Sequence, residues 1–188
     1  RVLGGYIEDG VIHFVQNTVS PDTARAAVYH GIITDLQGSK TIQGNILTVD
    51  ELDFGYPNIS YTGRYPGDDE AIITFNHTSQ DSFPGVSAIF YEGGVGYSER
   101  LHLQSGDSYV NALSGINERW GDYSGTQRVY NEGSKVWVTG FLGRREGFSR
   151  INRTWIAQLQ SPDSLDVVSA PTINTNSSSK LYPNPTLN

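Results

Sequence analysis

The sequence predicts an all-β fold built from consecutive four-stranded antiparallel sheets. Short β-rich runs follow one another with turn signals between them, and almost no stretch is typical of a helix. Similar groups of strands recur at a spacing of roughly 60 residues. The 188-residue chain contains no cysteine, so a buried core of ordinary size must hold the fold together without disulfides.

The charge and the N-terminal composition exclude several classes of partner. The formal charge of -7 at pH 7 argues against a broad surface for nucleic acid or anionic membranes, because both need clustered Lys and Arg. The apolar run near the start is interrupted by Glu8, Asp9 and His13, so it predicts neither a signal peptide nor a membrane span. Because the chain opens at Arg1 within a β-rich region, we expect it to be part of a longer precursor.

The first part of the chain illustrates the strand pattern. Residues 11–18 follow Asp9 and Gly10, which form a strong turn signal, and further β-rich runs span residues 25–34 and 41–49. Short strands at this spacing are typical of a sandwich, a barrel or a propeller. Internal repetition distinguishes between these three architectures.

Three units of similar sequence follow one another along the chain. Their central strands are residues 10–18, 70–78 and 135–141. The strands of small residues that follow them are residues 25–29, 86–91 and 154–159. The more polar strands that close the first two units are residues 41–49 and 99–103. The strands that open the second and third units are residues 58–61 and 123–127.

Each unit is therefore a four-stranded meander, which is the anatomy of a β-propeller blade. Residues 54–104 form one whole blade, while the first unit lacks its opening strand and the last unit lacks its outermost strand. Because propellers usually need about four or more blades to close a ring, about three blades cannot close one. We therefore expect residues 1–160 to be a partial propeller whose remaining blades precede Arg1.

A glycine-rich turn with two aromatics precedes the last unit at residues 117–125. Gly121 and Gly125 allow backbone angles closed to other residues, and a guanidinium from Arg119 matches the carboxylate of Asp122. The pattern favours a structural corner over a ligand site, with Trp120 and Asp122 largely buried. The residues of this predicted corner are Arg119, Trp120, Gly121, Asp122 and Tyr123.

These motifs resemble the closing part of sialidase-like β-propellers of secreted Bacteroidetes proteins. The segments that carry the resemblance are residues 55–59, 83–88, 119–125, 136–138 and 154–157. The resemblance spans most of residues 1–160 and implies the fold more than an activity. A sialidase needs an arginine cluster, an acid and a tyrosine-based nucleophile. Arg119, Asp122 and Tyr123 supply these types on a single turn, which cannot surround a sugar, so no catalytic residue is assigned.

The C-terminal part changes composition. Residues 161–180 are rich in Ser, Thr, Asn and Pro, which predicts a disordered or extended linker. The segment 181–188 then resembles the start of the C-terminal sorting domain of type IX secretion substrates. The residues of this sorting motif are Leu181, Tyr182, Pro183, Asn184 and Pro185. The resemblance implies export to the cell surface or the medium for the precursor, with the type IX secretion machinery as a partner.

Few residues suggest a metal or cofactor. The four histidines, His13, His30, His77 and His102, fall on separate predicted strands without paired spacing, so no metal site and no cofactor are predicted from them. Clustered carboxylates at Asp68, Asp69 and Glu70 are either a candidate calcium site or a solvated acidic turn.

Two kinds of surface feature concern glycans. Thr23 and Ser164 lie in Asp-Ser/Thr-apolar triplets that resemble Bacteroidetes O-glycosylation acceptors in accessible turns. Several tyrosines could line a glycan platform or belong to the core. These are Tyr56, Tyr61, Tyr65, Tyr91 and Tyr97.

Two functional hypotheses remain open. One is a non-catalytic secreted or surface module that binds protein or glycan, packed against preceding blades of its precursor or against a partner chain. The other is a sialidase-like glycoside hydrolase or a peptidase-associated domain, whose active site the missing blades would complete.

Overall fold

The computed structural model describes residues 1–49, 51–113, 118 and 120–162. These residues form twelve β-strands and contain no helix. The strands form three antiparallel sheets in chain order. The all-β prediction is therefore confirmed, with one strand more than the roughly eleven that the repeat predicts.

The first sheet contains four strands in sequential order. They are β1 (Val2–Glu8), β2 (Val11–Val19), β3 (Ala26–Thr34) and β4 (Thr41–Leu47). The prediction that this unit lacks its opening strand is wrong, because β1 pairs with β2 from Val2 to Glu8. The strand was missed because Gly4 and Gly5 give it a weak β propensity.

The second sheet has a divided outer edge. Its first three strands are β5 (Asp53–Tyr61), β6 (Glu70–Thr78) and β7 (Gly85–Glu92). Two short strands then pair with β7 at different points, β8 (Gly96–Tyr97) near its end and β9 (Leu101–Gln104) near its start. The sequence predicted only the second of these two.

The third sheet has three strands among the residues described. They are β10 (Gly125–Arg128), β11 (Lys135–Glu146) and β12 (Ser149–Gln160). The order is β10-β11-β12, so the unit lacks a fourth strand within these residues, as predicted. Gly147 and Phe148 make the tight connection between β11 and β12, with Gly147 at φ 58°.

The second sheet is buried on both faces, and β6 shows why. Alternate side chains of a strand point to opposite faces. Ala71, Ile73 and Phe75 pack with Val15 and Val28 of the first sheet. Ile72 lies on the other face, in a cluster with Val136 and Val138 of the third sheet. The core is therefore two layers, each between consecutive sheets, and each fully buried Ile or Phe stabilises the fold by about 1.5 to 3 kcal/mol.

The opposite face of the first sheet carries a continuous apolar row. Ile7, Ile12, Ile33 and Ile42 stand opposite one another across all four strands. We call these four residues the isoleucine face. Ile7 and Ile42 are each 61% exposed, so none of the described elements covers the ends of this row.

A row of three glycines and one phenylalanine borders the isoleucine face. Gly5, Phe14, Gly31 and Gly44 are successive partners across the four strands. The ring of Phe14 lies against Gly31, where a Cβ would come within 2.2 Å of it. Glycine is needed here because the aromatic ring occupies the place of a side chain.

Candidate functional site

The opening strands of the three sheets meet at Asn58. The side-chain Nδ2 of Asn58 on β5 donates to the carbonyl of Leu3 on β1 at 3.5 Å. Its Oδ1 accepts from the backbone N–H of Thr126 on β10 at 3.3 Å and from the Thr126 hydroxyl at 2.8 Å. One amide side chain thus joins β1, β5 and β10, although these strands belong to three different sheets.

A local irregularity of β5 brings Asn58 to this position. The pairing of β5 with β6 shifts between Gly55 and Asn58, and Tyr56 within this bulge has a φ of 54°. A bulge turns side chains away from the regular alternation. The Ser124 hydroxyl also donates to the carbonyl of Tyr56 at 2.7 Å, which ties the bulge to the start of β10.

The other ends of the same strands meet around Arg128. Its guanidinium lies 3.0 Å from the Oε2 of Glu8, 5.0 Å from the ring centre of Tyr61 and 5.1 Å from that of Tyr130. Tyr130 is 74% exposed. We call these four residues the arginine–tyrosine end. It presents an aromatic ring and a half-exposed ion pair to solvent, which suits the apolar face and hydroxyls of a sugar or a polar protein segment.

The structure agrees only in part with the corner predicted at residues 119–123. Arg119 lies outside the described residues. Gly121 is buried, with a φ of 88° and a Cβ position 2.6 Å from the Tyr56 ring, which agrees with its predicted conformational role. Trp120 is half-buried, with its ring centre 6.3 Å from that of Tyr56.

The burial predicted for Asp122 is wrong, because its side chain is exposed. Tyr123 is also exposed, at 82%. The turn contacts the core through Gly121 and Trp120, so the next two residues project outward.

The acidic turn directs its three carboxylates to different partners. The Oδ2 of Asp68 accepts from the backbone N–H groups of Arg64 and Tyr65. Asp69 lies against His13, and the Oε2 of Glu70 lies 3.4 Å from the Ser161 hydroxyl. In the part of the chain that the structure describes, no group of three or more acidic or histidine side chains could hold a metal ion.

A chain of hydrogen bonds runs through two buried histidines of the first sheet and joins them to side chains of the second sheet and its loop. The Oδ1 of Asp69 lies 3.0 Å from the Nε2 of His13, and the Nδ1 of His13 lies 3.1 Å from the Nε2 of His30. The Nδ1 of His30 lies 2.8 Å from the Tyr97 hydroxyl. His13 and His30 are 2% and 0% exposed. We call these four residues the polar chain.

One set of tautomers satisfies every link of the polar chain. Tyr97 donates to His30, His30 donates from Nε2 to His13, and His13 donates from Nε2 to ionised Asp69. The hydrogen bond from His13 holds the pKa of Asp69 below its usual range. Burial, followed by the neighbouring His13, lowers the pKa of His30 to about 3. His30 is therefore neutral within the polar chain.

Tyrosines surround the polar chain. The Tyr91 hydroxyl donates to the Oδ2 of Asp69 at 3.3 Å, and burial raises the pKa of Tyr91 to about 12. The ring of Tyr6 stacks on that of His13, with the ring centres 4.9 Å apart, and burial raises the pKa of Tyr6. Tyr91 and Tyr97 therefore belong to the interface between the first two sheets, and they are not part of an open glycan platform.

Sequence reasoning missed the polar chain because its members come from separate strands. The register places His13 opposite Ile32 and His30 opposite Val15, which makes the two histidines diagonal neighbours. A usable signal was present, since alternation places positions 13 and 15 of β2 on the same face. A histidine that shares the core face with Val15 needs a polar partner.

The remaining predicted residues fall in two groups. Thr23 is exposed in the turn between β2 and β3, where an enzyme could reach its hydroxyl. Ser164 and the sorting motif at residues 181–185 lie outside the described residues. No helix among the described residues is long and apolar enough to cross a membrane.

Comparison with protein-family models, with curated proteins and with solved structures found no match to this chain.

Proposed function

We propose that the three sheets are consecutive blades of a β-propeller, and that the chain belongs to a secreted or cell-surface module with a binding role and no catalysis. The junction at Asn58 is the observation that carries this proposal. In a propeller the innermost strand of every blade lines one axis. Hydrogen bonds from one side chain to β1 and β10 are what three innermost strands around such an axis would make.

The direction of the strands supports the same proposal. Asn58 of β5 lies beside the starts of β1 and β10, and the ends of all three strands lie together at Glu8, Tyr61 and Arg128. The three strands therefore run the same way without pairing with one another. Stacked meanders whose first strands share a direction are expected of successive blades.

Export and binding complete the proposal. The resemblance at residues 181–185 supports transport by the type IX machinery to the cell surface or the medium of a bacterium. The arginine–tyrosine end lies where the first strands of all three sheets finish, so ligands that contact it would meet residues from each sheet. We propose this end as the binding surface for a glycan or a protein.

The isoleucine face supports a further sheet as a neighbour. Its row of isoleucines resembles in composition the faces that pack between the three sheets, and exposed apolar side chains in a continuous row favour association. We propose that another antiparallel sheet, from the same precursor or from a partner chain, covers it.

The expressed chain is therefore expected to self-associate. Replacing Ile7→Ser and Ile42→Ser together should move the mass measured by light scattering toward that of the monomer, because the exposed ends of the apolar row become polar. Val95→Ser is the matched control, since Val95 is 44% exposed but lies in the loop between β7 and β8. A wild-type chain that stays monomeric with slow amide exchange in every strand would contradict the covered face.

Binding at the arginine–tyrosine end is tested with the precursor on an array of mucin-type and bacterial polysaccharide glycans. Arg128→Ala and Tyr130→Ala should each weaken retention roughly tenfold, as expected for an aromatic and an arginine at the centre of a binding surface. Tyr109→Ala is the control, because Tyr109 is 54% exposed and also contacts an arginine, Arg150. Equal loss in the control would contradict the assignment, and turnover of a fluorogenic sialoside would favour the hydrolase alternative.

A further inference from the structure

A second group of basic and hydroxyl side chains lies on the second sheet, away from the polar chain. Arg100 donates from Nη1 to the Ser87 hydroxyl at 2.8 Å, and the same hydroxyl lies 2.8 Å from the Nδ1 of His77. The ring of His102 lies 5.0 Å from that of His77, and its Nε2 is 2.8 Å from the Ser105 hydroxyl. We call these five residues the arginine–histidine cluster.

The hydrogen bonds of the arginine–histidine cluster start at Arg100. A guanidinium can only donate, so the oxygen of Ser87 accepts from Arg100. The Ser87 hydroxyl then either donates to the Nδ1 of His77 or accepts a second hydrogen bond from it, because a hydroxyl oxygen has two lone pairs. In either tautomer the Nε2 of His77 is buried and has no hydrogen-bond partner among the described residues, and His77 is only 1% exposed. The series of hydrogen bonds therefore ends in a buried nitrogen without a partner.

The arginine–histidine cluster also lacks a negative charge. Among the described residues, Arg100 makes no ion pair, and the Ser87 hydroxyl is its hydrogen-bond partner. Burial, followed by the neighbouring His102 and Arg100, lowers the pKa of His77 to about 4. Burial and then Arg100 lower the pKa of His102. A half-buried guanidinium beside two imidazoles is unusual in a chain of net charge -7, because buried charges are normally paired.

We propose that the arginine–histidine cluster is an oxyanion site that binds phosphate or sulfate, either free or as an ester on a larger molecule. Arg100 retains N–H donors that Ser87 does not use, and guanidinium groups bind such oxyanions through two parallel hydrogen bonds. His102 and Ser105 stand at the exposed side of the group, so they would contact the remaining oxygens. A tetrahedral oxyanion has acceptor oxygens in more directions than a planar carboxylate. It therefore suits donors that come from three places, namely His102 on β9, Ser105 in the loop after β9, and Arg100.

The site is independent of the proposed propeller, because all five residues belong to one sheet and its connections. An anion beside the imidazoles would offset the repulsion from Arg100, so it would favour the protonated form of His102. Binding and protonation are therefore linked, and the affinity for the anion should rise as the pH falls toward the ordinary pKa of histidine.

The test is a titration of the chain with sodium phosphate and with sodium sulfate at constant ionic strength, followed through the imidazole signals of His102 by NMR. Both anions should give saturable shifts, and Arg100→Gln should weaken the affinity at least about tenfold because it removes the charged donor. Arg150→Gln is the matched control, since Arg150 is an arginine of the third sheet next to Tyr109. It should leave the affinity within about twofold of wild type.

Further arms separate the outcomes. Ser105→Ala and His102→Gln change exposed residues, so they keep the test valid if Arg100→Gln fails to fold, and each should weaken binding severalfold. Binding to His102→Gln is followed through the imidazole signals of His77, whose ring lies 5.0 Å from that of His102 in the native protein. Sodium acetate should bind more weakly than either tetrahedral anion. A preference for phosphate that grows above its second pKa would identify a phosphate ester as the natural ligand type, and a preference for sulfate would identify a sulfate ester. Shifts that follow chloride equally, or persist unchanged in Arg100→Gln and Ser105→Ala, would overturn the proposal.

Discussion

Lowering the pH from about 6.5 to 4.5 is expected to remove roughly 3 to 5 kcal/mol from the free energy of unfolding of this chain. Two buried histidines cause this loss. Burial lowers the pKa of His30 to about 3 and that of His77 to about 4 in the folded protein. In the unfolded chain both return to an ordinary pKa near 6.5.

The sign follows from proton binding. Between the ordinary and the lowered pKa, the unfolded chain binds protons that the folded chain does not, so acid favours unfolding by about 1.4 kcal/mol per pH unit for each histidine. Asp69 adds to the loss at still lower pH, because its folded pKa lies below its usual range. Glu70 acts in the opposite direction, since burial raises its pKa.

Urea unfolding followed by tryptophan fluorescence at a series of pH values measures this dependence. Replacing His30→Gln should remove about half of the pH slope in this range, because one of the two buried imidazoles is lost. His102→Gln is the control, since His102 is exposed and should leave most of the slope in place. Equal stability at the two ends of the range would show that the histidines are not held neutral in the core.

Replacing Asn58→Ala is expected to lower the free energy of unfolding by about 2 to 4 kcal/mol. The change removes the acceptor for the backbone N–H and the hydroxyl of Thr126 and the donor to the carbonyl of Leu3. It also leaves these groups without their partner between three sheets. Thermal and urea unfolding of the variant measure the loss.

Asn17→Ala provides the matched control for Asn58→Ala. Asn17 also accepts a hydrogen bond from a backbone N–H, that of Tyr56, at 3.0 Å, but its side chain is exposed. Water can replace that contact, so the cost should stay below about 1 kcal/mol. An equal cost for both variants would mean that Asn58 holds only its own strand and does not join the three sheets.

The local sequence pattern was enough to predict the positions of most strands, but it did not predict which side chains contact each other between strands. The near-continuous apolar run at residues 71–75 is typical of a strand such as β6, because its side chains fill two cores on opposite faces. The strand β1 escaped detection because Gly4 and Gly5 weaken its pattern. Residues on the exposed side of a turn, such as Asp122, are equally hard to place, because a turn sequence specifies backbone angles and not which side chains face the core.

The two histidine groups could not be predicted from spacing, because strand register creates them. His77 stands opposite Gly85, and Ser87 stands opposite His102. These pairings depend on how β7 sits between β6 and β9, which no short motif specifies. The junction at Asn58 depends in addition on a bulge, whose position the sequence does not reveal.

The order of the sheets along the chain has a consequence for folding kinetics. Most hydrogen-bonded strands are consecutive in sequence, and two-residue connections join β1 to β2 and β11 to β12. Hairpins of this kind close within about 1 to 10 microseconds, because little loop entropy is lost. The polar chain, by contrast, can form only after two finished sheets dock and expel water from His13 and His30. We therefore expect sheet docking, and not strand pairing, to be the slow step through which this chain reaches its native state.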